Sequence, residues 1–307
     1  MTPREDITAI QAEIRHLARE RDAVVIAHNY QRAEVQDAAS FVGDSLGLSR
    51  EAAATDASVI VFAGVHFMAE TAKILSPGKT VLLPEPGAGC PMADMITAEQ
   101  ARAFKAEHPG LPLVTYVNSS AEVKAETDIC CTSANAVEVV RSLGVPKVLF
   151  APDRNLAAWV ASQLPEVEVI AWDGYCPVHD EVTPEMVVEM MDIHPLAEVL
   201  THPECRPEVN ALADAVLSTS GMLRHVASSP ADEFVIVTEN GLLHGLAKAA
   251  RGKRFYNVEP KMLCPNMKLT SLTKVRDCLR DMTGEVTVAE DVRVRALAAV
   301  ERMVALG

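Results

Sequence analysis

The sequence of 307 residues has few aromatic side chains, no long apolar run and no excess of positive charge. Only 4% of the residues are aromatic but 49% are hydrophobic, so the chain can still bury a core built mainly from aliphatic side chains. The longest apolar stretch, at 58–65, falls short of the roughly 18 residues that a transmembrane helix needs. The net charge of −14, with no long basic run, argues against binding to nucleic acid or to an anionic membrane.

The short motifs that identify common metal, nucleotide and redox sites are also missing. The sequence contains no CxxC, HExxH, GxGxxG or phosphate-binding P-loop. Its seven cysteines form an odd set in which Cys130 and Cys131 are adjacent, so we expect reduced thiols and no disulfide framework. The N-terminal stretch is charged throughout and lacks the apolar segment of a signal peptide, which predicts a surface helix and a cytoplasmic protein. Any chemistry must therefore come from residues dispersed along the chain.

Short runs rich in β-branched residues alternate with segments of helical length. This alternation predicts βαβ units with buried parallel sheets. The predicted strands lie at 24–29, 58–65, 80–86, 113–119, 147–152, 167–174, 197–204, 233–241 and 254–260.

Chemically distinctive residues recur near the ends of these strands at intervals of 86 or 88 positions. Three sets align: His28, Tyr116 and His202; Ser45, Ser133 and Thr219; and Cys90, Cys176 and Cys264, each of these cysteines being followed by proline. Polar helical stretches near 6–21, 97–107 and 183–192 open the repeats. We therefore expect an α/β fold of three pseudo-threefold-related units, each a three-layer unit with a parallel sheet. The predicted units are 1–91, 92–177 and 178–265, followed by a C-terminal helical extension at 266–307 packed on an outer face.

The repeat also predicts where a ligand binds. Ligands of open α/β sheets bind beyond the carboxyl ends of the strands, so three units joined with these ends inward would form a central active-site cavity. Three cysteines on its axis suit either a zinc site with an open position or an iron–sulfur cluster with one iron free of cysteine. Taken singly, each cysteine would more often be a small buried core residue.

The other repeated residues have two interpretations each. Ser45, Ser133 and Thr219 precede helical patterns, so they either cap helices or direct helix N-termini at an anionic substrate. A histidine or tyrosine at a strand end is often only a polar edge residue with its hydrogen bonds satisfied. His202 and Glu204, however, alternate by two, which on an extended strand would place both side chains on one face as a general acid/base pair. Five histidines have no matched partner and are expected to be surface or core residues: His16, His108, His194, His225 and His244.

Seven segments resemble hallmark stretches of the quinolinate synthase family. They are AHNYQRAEVQDAASFVGDSLGLSREAA, GVHFMAETAKIL, TYVNSSAEVKA, WDGYCPVH, THPEC, STSGM and CPNMKLTSL, and they span residues 27–272. The resemblance implies a transferase-type condensing enzyme and dehydratase of de novo NAD biosynthesis. Its substrates would be iminosuccinate (iminoaspartate) and dihydroxyacetone phosphate, and its products quinolinate, phosphate and water. An aspartate oxidase or dehydrogenase would supply the iminosuccinate.

The resemblance also implies one 4Fe-4S cluster per chain, held by Cys90, Cys176 and Cys264, whose fourth iron acts as a Lewis acid. Cys130, Cys131, Cys205 and Cys278 have no such role. The resemblance implies a substrate cavity lined by His28, Ser45, Tyr116, Asn118, Ser133, His202, Glu204 and Thr219. Tyr30, His202 and Glu204 would be the catalytic residues, with Tyr30 in acid/base or gating chemistry and Glu204 in proton transfer.

Two other functions fit the same residues. One is a zinc hydrolase or lyase that uses the three thiolates. The other is a metal-free protein that binds a small ligand and whose cysteines only pack. Only the iron–sulfur protein would be brown when purified without oxygen and would bleach in air.

Overall fold

Twelve strands form the framework of the computed structural model, which describes residues 6–260 and 262–306. The strands are β1 (Ala23–His28), β2 (Phe41–Gly43), β3 (Val59–Ala63), β4 (Thr80–Leu82), β5 (Leu113–Tyr116), β6 (Ile129–Cys131), β7 (Lys147–Ala151), β8 (Glu168–Ala171), β9 (Glu198–Thr201), β10 (Ala215–Val216), β11 (Glu233–Val237) and β12 (Arg254–Asn257). They form three four-stranded parallel sheets, ordered β2-β1-β3-β4, β6-β5-β7-β8 and β10-β9-β11-β12. The predicted α/β class and the threefold repetition are confirmed.

All nine predicted strands are present, together with three strands that were not predicted. The missed strands are β2, β6 and β10, which have two or three residues each and lie at one edge of their sheets. Segments this short show no periodic pattern, because their pairing depends on the neighbouring strand and not on their own composition. Each sheet therefore places its first strand, β1, β5 or β9, in an inner position.

Helices connect the strands on both sides of the sheets. They are α1 (Ile7–Glu20), α2 (Ala33–Gln36), α3 (Ser45–Ala54), α4 (His66–Leu75), α5 (Ala98–Glu107), α6 (Ala121–Lys124), α7 (Ala136–Ser142), α8 (Arg154–Gln163), α9 (Pro177–Asp180), α10 (Pro184–Ile193), α11 (Pro207–Asn210), α12 (Thr219–Ser228), α13 (Leu242–Ala249), α14 (Leu272–Asp281) and α15 (Glu290–Ala305). The predicted opening helices are confirmed as α1, α5 and α10. The first five residues of the polar N-terminal stretch lie outside the described residues.

Helices α14 and α15 follow residue 266, and α14 lies at the repeat position of α5 and α10. Helix α14 begins after Ser271, which caps it at the repeat position held by Thr97 before α5 and Thr183 before α10. It packs on α1, where Leu272 and Val275 join the buried core between these helices and the first sheet. Helix α15 packs on α4, α6 and β6, across the first two sheets. The unit boundaries themselves stay predictions.

None of the helices in the described ranges combines the length and the hydropathy that crossing a membrane requires.

Candidate active site

A cavity lies where the carboxyl ends of the first strands of the three sheets meet. It has a volume of about 690 Å³ including its open mouth. All twelve residues singled out in the sequence line it: His28, Tyr30, Ser45, Cys90, Tyr116, Asn118, Ser133, Cys176, His202, Glu204, Thr219 and Cys264. Residues up to 236 positions apart in the sequence therefore meet in one place, as the inward arrangement of the three units predicts.

The repeated hydroxyl residues are not helix caps. The Gly47 N–H donates to Asp44 Oδ1 at 2.8 Å, so Asp44 caps α3, and Ser45 is the first helical residue. Likewise Ser218 caps α12 through the Gly221 N–H, at 3.2 Å, and Thr219 follows it. The capping interpretation was therefore wrong by one position. Ser45 and Thr219 line the cavity, and the Thr219 hydroxyl accepts a hydrogen bond from the side-chain amide of Asn29 at 2.8 Å.

The third hydroxyl also departs from the predicted helix start. Ser133 lies in a turn before α7, whose N-cap is Asn135, so only two of the three residues begin a helix. The Ser133 hydroxyl lies 3.2 Å from Nε2 of His202, which joins the second unit to the third across the cavity.

His28 and His202 have matching hydrogen bonds that fix their tautomers. The backbone N–H of Tyr30 donates to Nδ1 of His28 at 3.2 Å, and that of Glu204 donates to Nδ1 of His202 at 3.3 Å. Because a backbone amide can only donate, each Nδ1 is unprotonated and each Nε2 carries the hydrogen of the neutral ring. Burial lowers the pKa of His28 to about 4 and that of His202 to about 3, so both rings are neutral at pH 7.

The strand proposed to hold His202 and Glu204 ends before them. Strand β9 stops at Thr201, and Glu204 lies in the turn that follows. The two side chains still approach each other, with 3.8 Å between Nδ1 of His202 and Oε2 of Glu204. Their proximity comes from a tight turn and not from strand alternation, so that premise was wrong.

Glu204 is the buried acidic centre of the cavity. Its Oε1 accepts a hydrogen bond from the Tyr116 hydroxyl at 2.6 Å, and its Oε2 lies 2.8 Å from Nδ1 of His179. Burial by itself would raise the pKa of this carboxyl, but the interactions with His179 and Tyr116 outweigh burial and lower it. Glu204 is therefore ionised at pH 7. Burial and the charge of Glu204 raise the pKa of Tyr30 and of Tyr116, so both phenols keep their protons.

His179 is a cavity residue that the sequence analysis missed. It lies one turn after Cys176, with 3.2 Å between its Nδ1 and the Cys176 sulfur, and its Nε2 is 2.8 Å from the Thr238 hydroxyl. The Thr238 hydroxyl is also 2.5 Å from the hydroxyl of Tyr30. His179 has no histidine at the matching repeat positions, which hold Ala93 and Met267. The available signal was its spacing of three residues from Cys176, which places both side chains on one side of a helical turn.

Glu239 is a second cavity residue that the repeat did not reveal. It is almost fully buried, and its Oε1 accepts the backbone N–H of Cys264 at 3.1 Å. The ammonium of Lys268 lies 2.9 Å from the same oxygen, so the charge of Glu239 is paired. This pair fixes the loop that carries the third cysteine.

All seven cysteines lie in the described ranges and are free thiols, as expected. Cys90, Cys176 and Cys264, one from each predicted unit, line the cavity. They also line a second, mainly apolar cavity, whose space including its open mouth is about 1290 Å³. Burial raises the pKa of Cys90 to about 12 and raises those of Cys176 and Cys264, so ionisation of these thiols needs a nearby cation. Three cysteines that line the same two cavities fit a thiolate-bound metal group. The other four cysteines are buried in the core.

The unmatched histidines lie apart from the cavity in the described structure, as predicted. His194 stacks on Tyr256, His225 pairs with Glu198, and His244 pairs with Asp37.

Comparison with known proteins agrees with the sequence resemblance. The family model described as "Quinolinate synthetase A protein" matches residues 12–305. The chain is similar to quinolinate synthase 1 of Methanosarcina acetivorans, with 55% identity over 293 residues that cover 95% of this chain and 96% of the relative. It is also similar to the quinolinate synthases of Dehalococcoides mccartyi strain CBDB1, at 54% identity over 294 residues (96% and 97%), and of Geobacter metallireducens, at 55% over 297 residues (97% of each).

Proposed function

The chain belongs to the quinolinate synthase family, and on that premise we propose that it condenses iminosuccinate with dihydroxyacetone phosphate to form quinolinate, phosphate and water. The observation that carries the proposal is the convergence of three cysteines, two neutral histidines and an ionised glutamate on one cavity. The product would enter de novo NAD biosynthesis.

The cavity offers donors suited to anionic substrates although the chain as a whole is acidic. The Nε2–H groups of His28 and His202 are neutral donors, although that of His202 faces the Ser133 hydroxyl at 3.2 Å until a substrate replaces it. Ser45, Ser133 and Thr219 add hydroxyls that can donate to a substrate, that of Thr219 while it accepts from Asn29. Asn118 Oδ1 is buried and has no partner among the described residues, so it can accept a hydrogen bond from an imine or amine N–H of the substrate. Substrate carboxylates and phosphate would thus be bound by local dipoles and not by the net charge.

The three cysteines would hold a 4Fe-4S cluster. When bound, the cluster would supply one iron without a cysteine ligand, a Lewis acid suited to the departure of hydroxide during dehydration. Three thiols and no fourth matched cysteine suit this ligand count.

The neighbouring side chains have the protonation states that proton transfer requires. Glu204 is ionised, so it can accept a proton from substrate carbon, and Tyr30 keeps its proton, so it can donate one to oxygen; their shifted pKa values make Glu204 a weak base and Tyr30 a weak acid in the free protein. The Tyr116 hydroxyl fixes one oxygen of Glu204 and leaves the other facing His179. We therefore assign proton transfer to Glu204 and Tyr30, with His202 as a donor to substrate oxygen.

The chemistry of the substrate indicates its source. Iminosuccinate is an imine that water hydrolyses, so it must be produced by oxidation of aspartate close in time to its use. An aspartate oxidase or dehydrogenase is the partner activity we propose.

Anaerobic purification of the full chain tests this function. We expect a brown protein with about four irons and four acid-labile sulfides per chain, and quinolinate formed from the two substrates. Zinc in place of iron, with hydrolase or lyase activity, would favour the zinc enzyme. A colourless, metal-free protein that binds a small ligand but forms no quinolinate would favour the binding protein.

A further inference from the structure

Three different ligand types meet beside the cavity: the thiol of Cys176, the imidazole of His179 and the carboxylate of Glu204. One ligand atom from each lies within 4.8 Å of the other two. Nδ1 of His179 is 3.2 Å from the sulfur and 2.8 Å from the carboxylate oxygen Oε2. His179 and Glu204 are both buried. We propose that these three residues form a second metal site, which binds one divalent transition ion such as Zn²⁺ when no cluster occupies the three cysteines.

Hydrogen bonds to residues outside the site leave the three ligand atoms facing one another, and the ion would replace the proton that Nδ1 of His179 shares with Oε2 of Glu204. Nε2 of His179 lies 2.8 Å from the Thr238 hydroxyl, so Nδ1 is the nitrogen that faces the thiol and the carboxylate. The Tyr116 hydroxyl occupies Oε1 of Glu204, which leaves Oε2. Metal-binding histidines and carboxylates have such outer hydrogen bonds in most sites, because these bonds fix the orientation of the ligand.

The donor set selects the kind of ion. One sulfur, one nitrogen and one oxygen suit Zn²⁺ or Co²⁺, whereas Mg²⁺ and Ca²⁺ prefer oxygen ligands only. Ligand atoms in a tetrahedral zinc site lie about 3.3–3.8 Å apart. The distance of 2.8 Å between Nδ1 of His179 and Oε2 of Glu204 therefore has to lengthen by about 0.5 Å to admit the ion. With three protein ligands, the fourth position would hold water.

This site differs from a zinc ion held by the three repeated cysteines. It uses only Cys176 of that set, and it breaks the pseudo-threefold pattern because the positions that match His179 are Ala93 and Met267. The two sites share one thiolate, so an ion at the second site prevents Cys176 from binding a cluster.

Cobalt is a suitable probe because a bound thiolate and tetrahedral geometry both give optical bands. The full chain, stripped of metal with a chelator under anaerobic conditions, is titrated with Co²⁺, and the ion is then displaced with Zn²⁺. We expect one Co²⁺ per chain, with a thiolate-to-cobalt charge-transfer band that Zn²⁺ removes. His179→Ala should weaken binding at least about tenfold, whereas Cys90→Ser and Cys264→Ser should keep the band.

His225→Ala is the matched control, because His225 also pairs with a glutamate but lies away from the cavity; it should bind Co²⁺ as the wild type does. Circular dichroism checks that each variant is folded, and His179→Asn replaces His179→Ala if the latter does not fold. Loss of the band in Cys90→Ser, with full binding in His179→Ala, would overturn the proposal and place the ion on the three cysteines. Absence of Co²⁺ binding to the wild type would also overturn it.

A second measurement follows cluster assembly and rests on the proposed function. Zn²⁺ added before iron and sulfide should slow the appearance of the cluster's absorption in the wild type but not in His179→Ala. If the stripped wild type binds Zn²⁺ and still assembles the cluster at the unhindered rate, Cys176 is not a ligand of the ion and the proposed site is wrong. If no cluster forms in either protein even without Zn²⁺, the proposed function fails, and the cobalt titration alone decides the metal site.

Discussion

Alanine substitutions at Ser45 and Ser218 should separate substrate binding from helix capping. Ser218 caps α12 through the Gly221 N–H, and it is not among the cavity residues. Ser45 lies one position after the cap of α3, and its hydroxyl lines the cavity without a hydrogen-bond partner in the part of the chain that the structure describes. Ser218 is the N-cap of its helix, whereas Ser45 is the first residue after the N-cap of another helix. Comparing the two variants therefore tests whether the Ser45 hydroxyl binds substrate.

The expected effects differ in kind and in size. Ser218→Ala removes one cap and should lower the free energy of unfolding by about 1 kcal/mol, which for a chain of this length lowers the Tm by about 2 °C. Ser45→Ala leaves the cap intact and should change the free energy of unfolding by less than about 0.5 kcal/mol. Loss of its hydrogen bond to a charged substrate group should cost about 1.5–3 kcal/mol, a decrease of about 10–150-fold in kcat/KM.

The assay combines thermal melts with anaerobic measurement of quinolinate formation at varied substrate concentrations. Iron content is measured in each preparation, so that a loss of metal is not mistaken for a loss of binding. A lower Tm for Ser45→Ala with unchanged kcat/KM would refute the assignment. So would equal losses of activity in the two variants.

Three further predictions follow from the protonation states and from the cysteines. Glu204→Gln should lower turnover about 10²–10⁴-fold, as loss of a general acid or base does, while a chelating dicarboxylate still perturbs the cluster's spectrum; turnover near that of the wild type would move the role to Tyr30 or His202. In the unfolded chain His28 takes up a proton below about pH 6.5, whereas in the folded chain it does so only near pH 4. Acidification from pH 7 to pH 5 therefore favours the unfolded chain, and His28 lowers the free energy of unfolding by about 2 kcal/mol over this range. Urea denaturation should therefore show a loss of stability between these pH values that is about 2 kcal/mol smaller in His28→Gln, and equal losses would contradict the buried, neutral ring. Alanine at any one of the three repeated cysteines should abolish iron retention; these are Cys90, Cys176 and Cys264. Alanine at any one of the other four should not; these are Cys130, Cys131, Cys205 and Cys278. Anaerobic iron analysis of each variant checks both expectations.

Strand segments and the repeat could be predicted from the sequence because their signals are local. The nine predicted strands have runs of β-branched, aromatic or other apolar residues that can be recognised, and the inner parallel strands, which are buried on both faces, require such runs. The repeat then aligned residues such as His28, Tyr116 and His202 without any knowledge of the fold. All twelve predicted site residues line one cavity because a repeated unit places its strand ends in equivalent positions about the same axis.

The tertiary structure alone decided which atoms of these residues meet. Neither His179 nor Thr238 has a repeated counterpart of the same kind. The two residues are 59 positions apart in the sequence, and only the folding of the chain brings their side chains into contact. The shift of the helix cap from Ser45 to Asp44 depends on the backbone conformation of one residue, which composition does not determine. The tautomers of His28 and His202 and the ionised state of Glu204 depend on burial and on hydrogen bonds a few ångströms long, and these exist only in the folded chain.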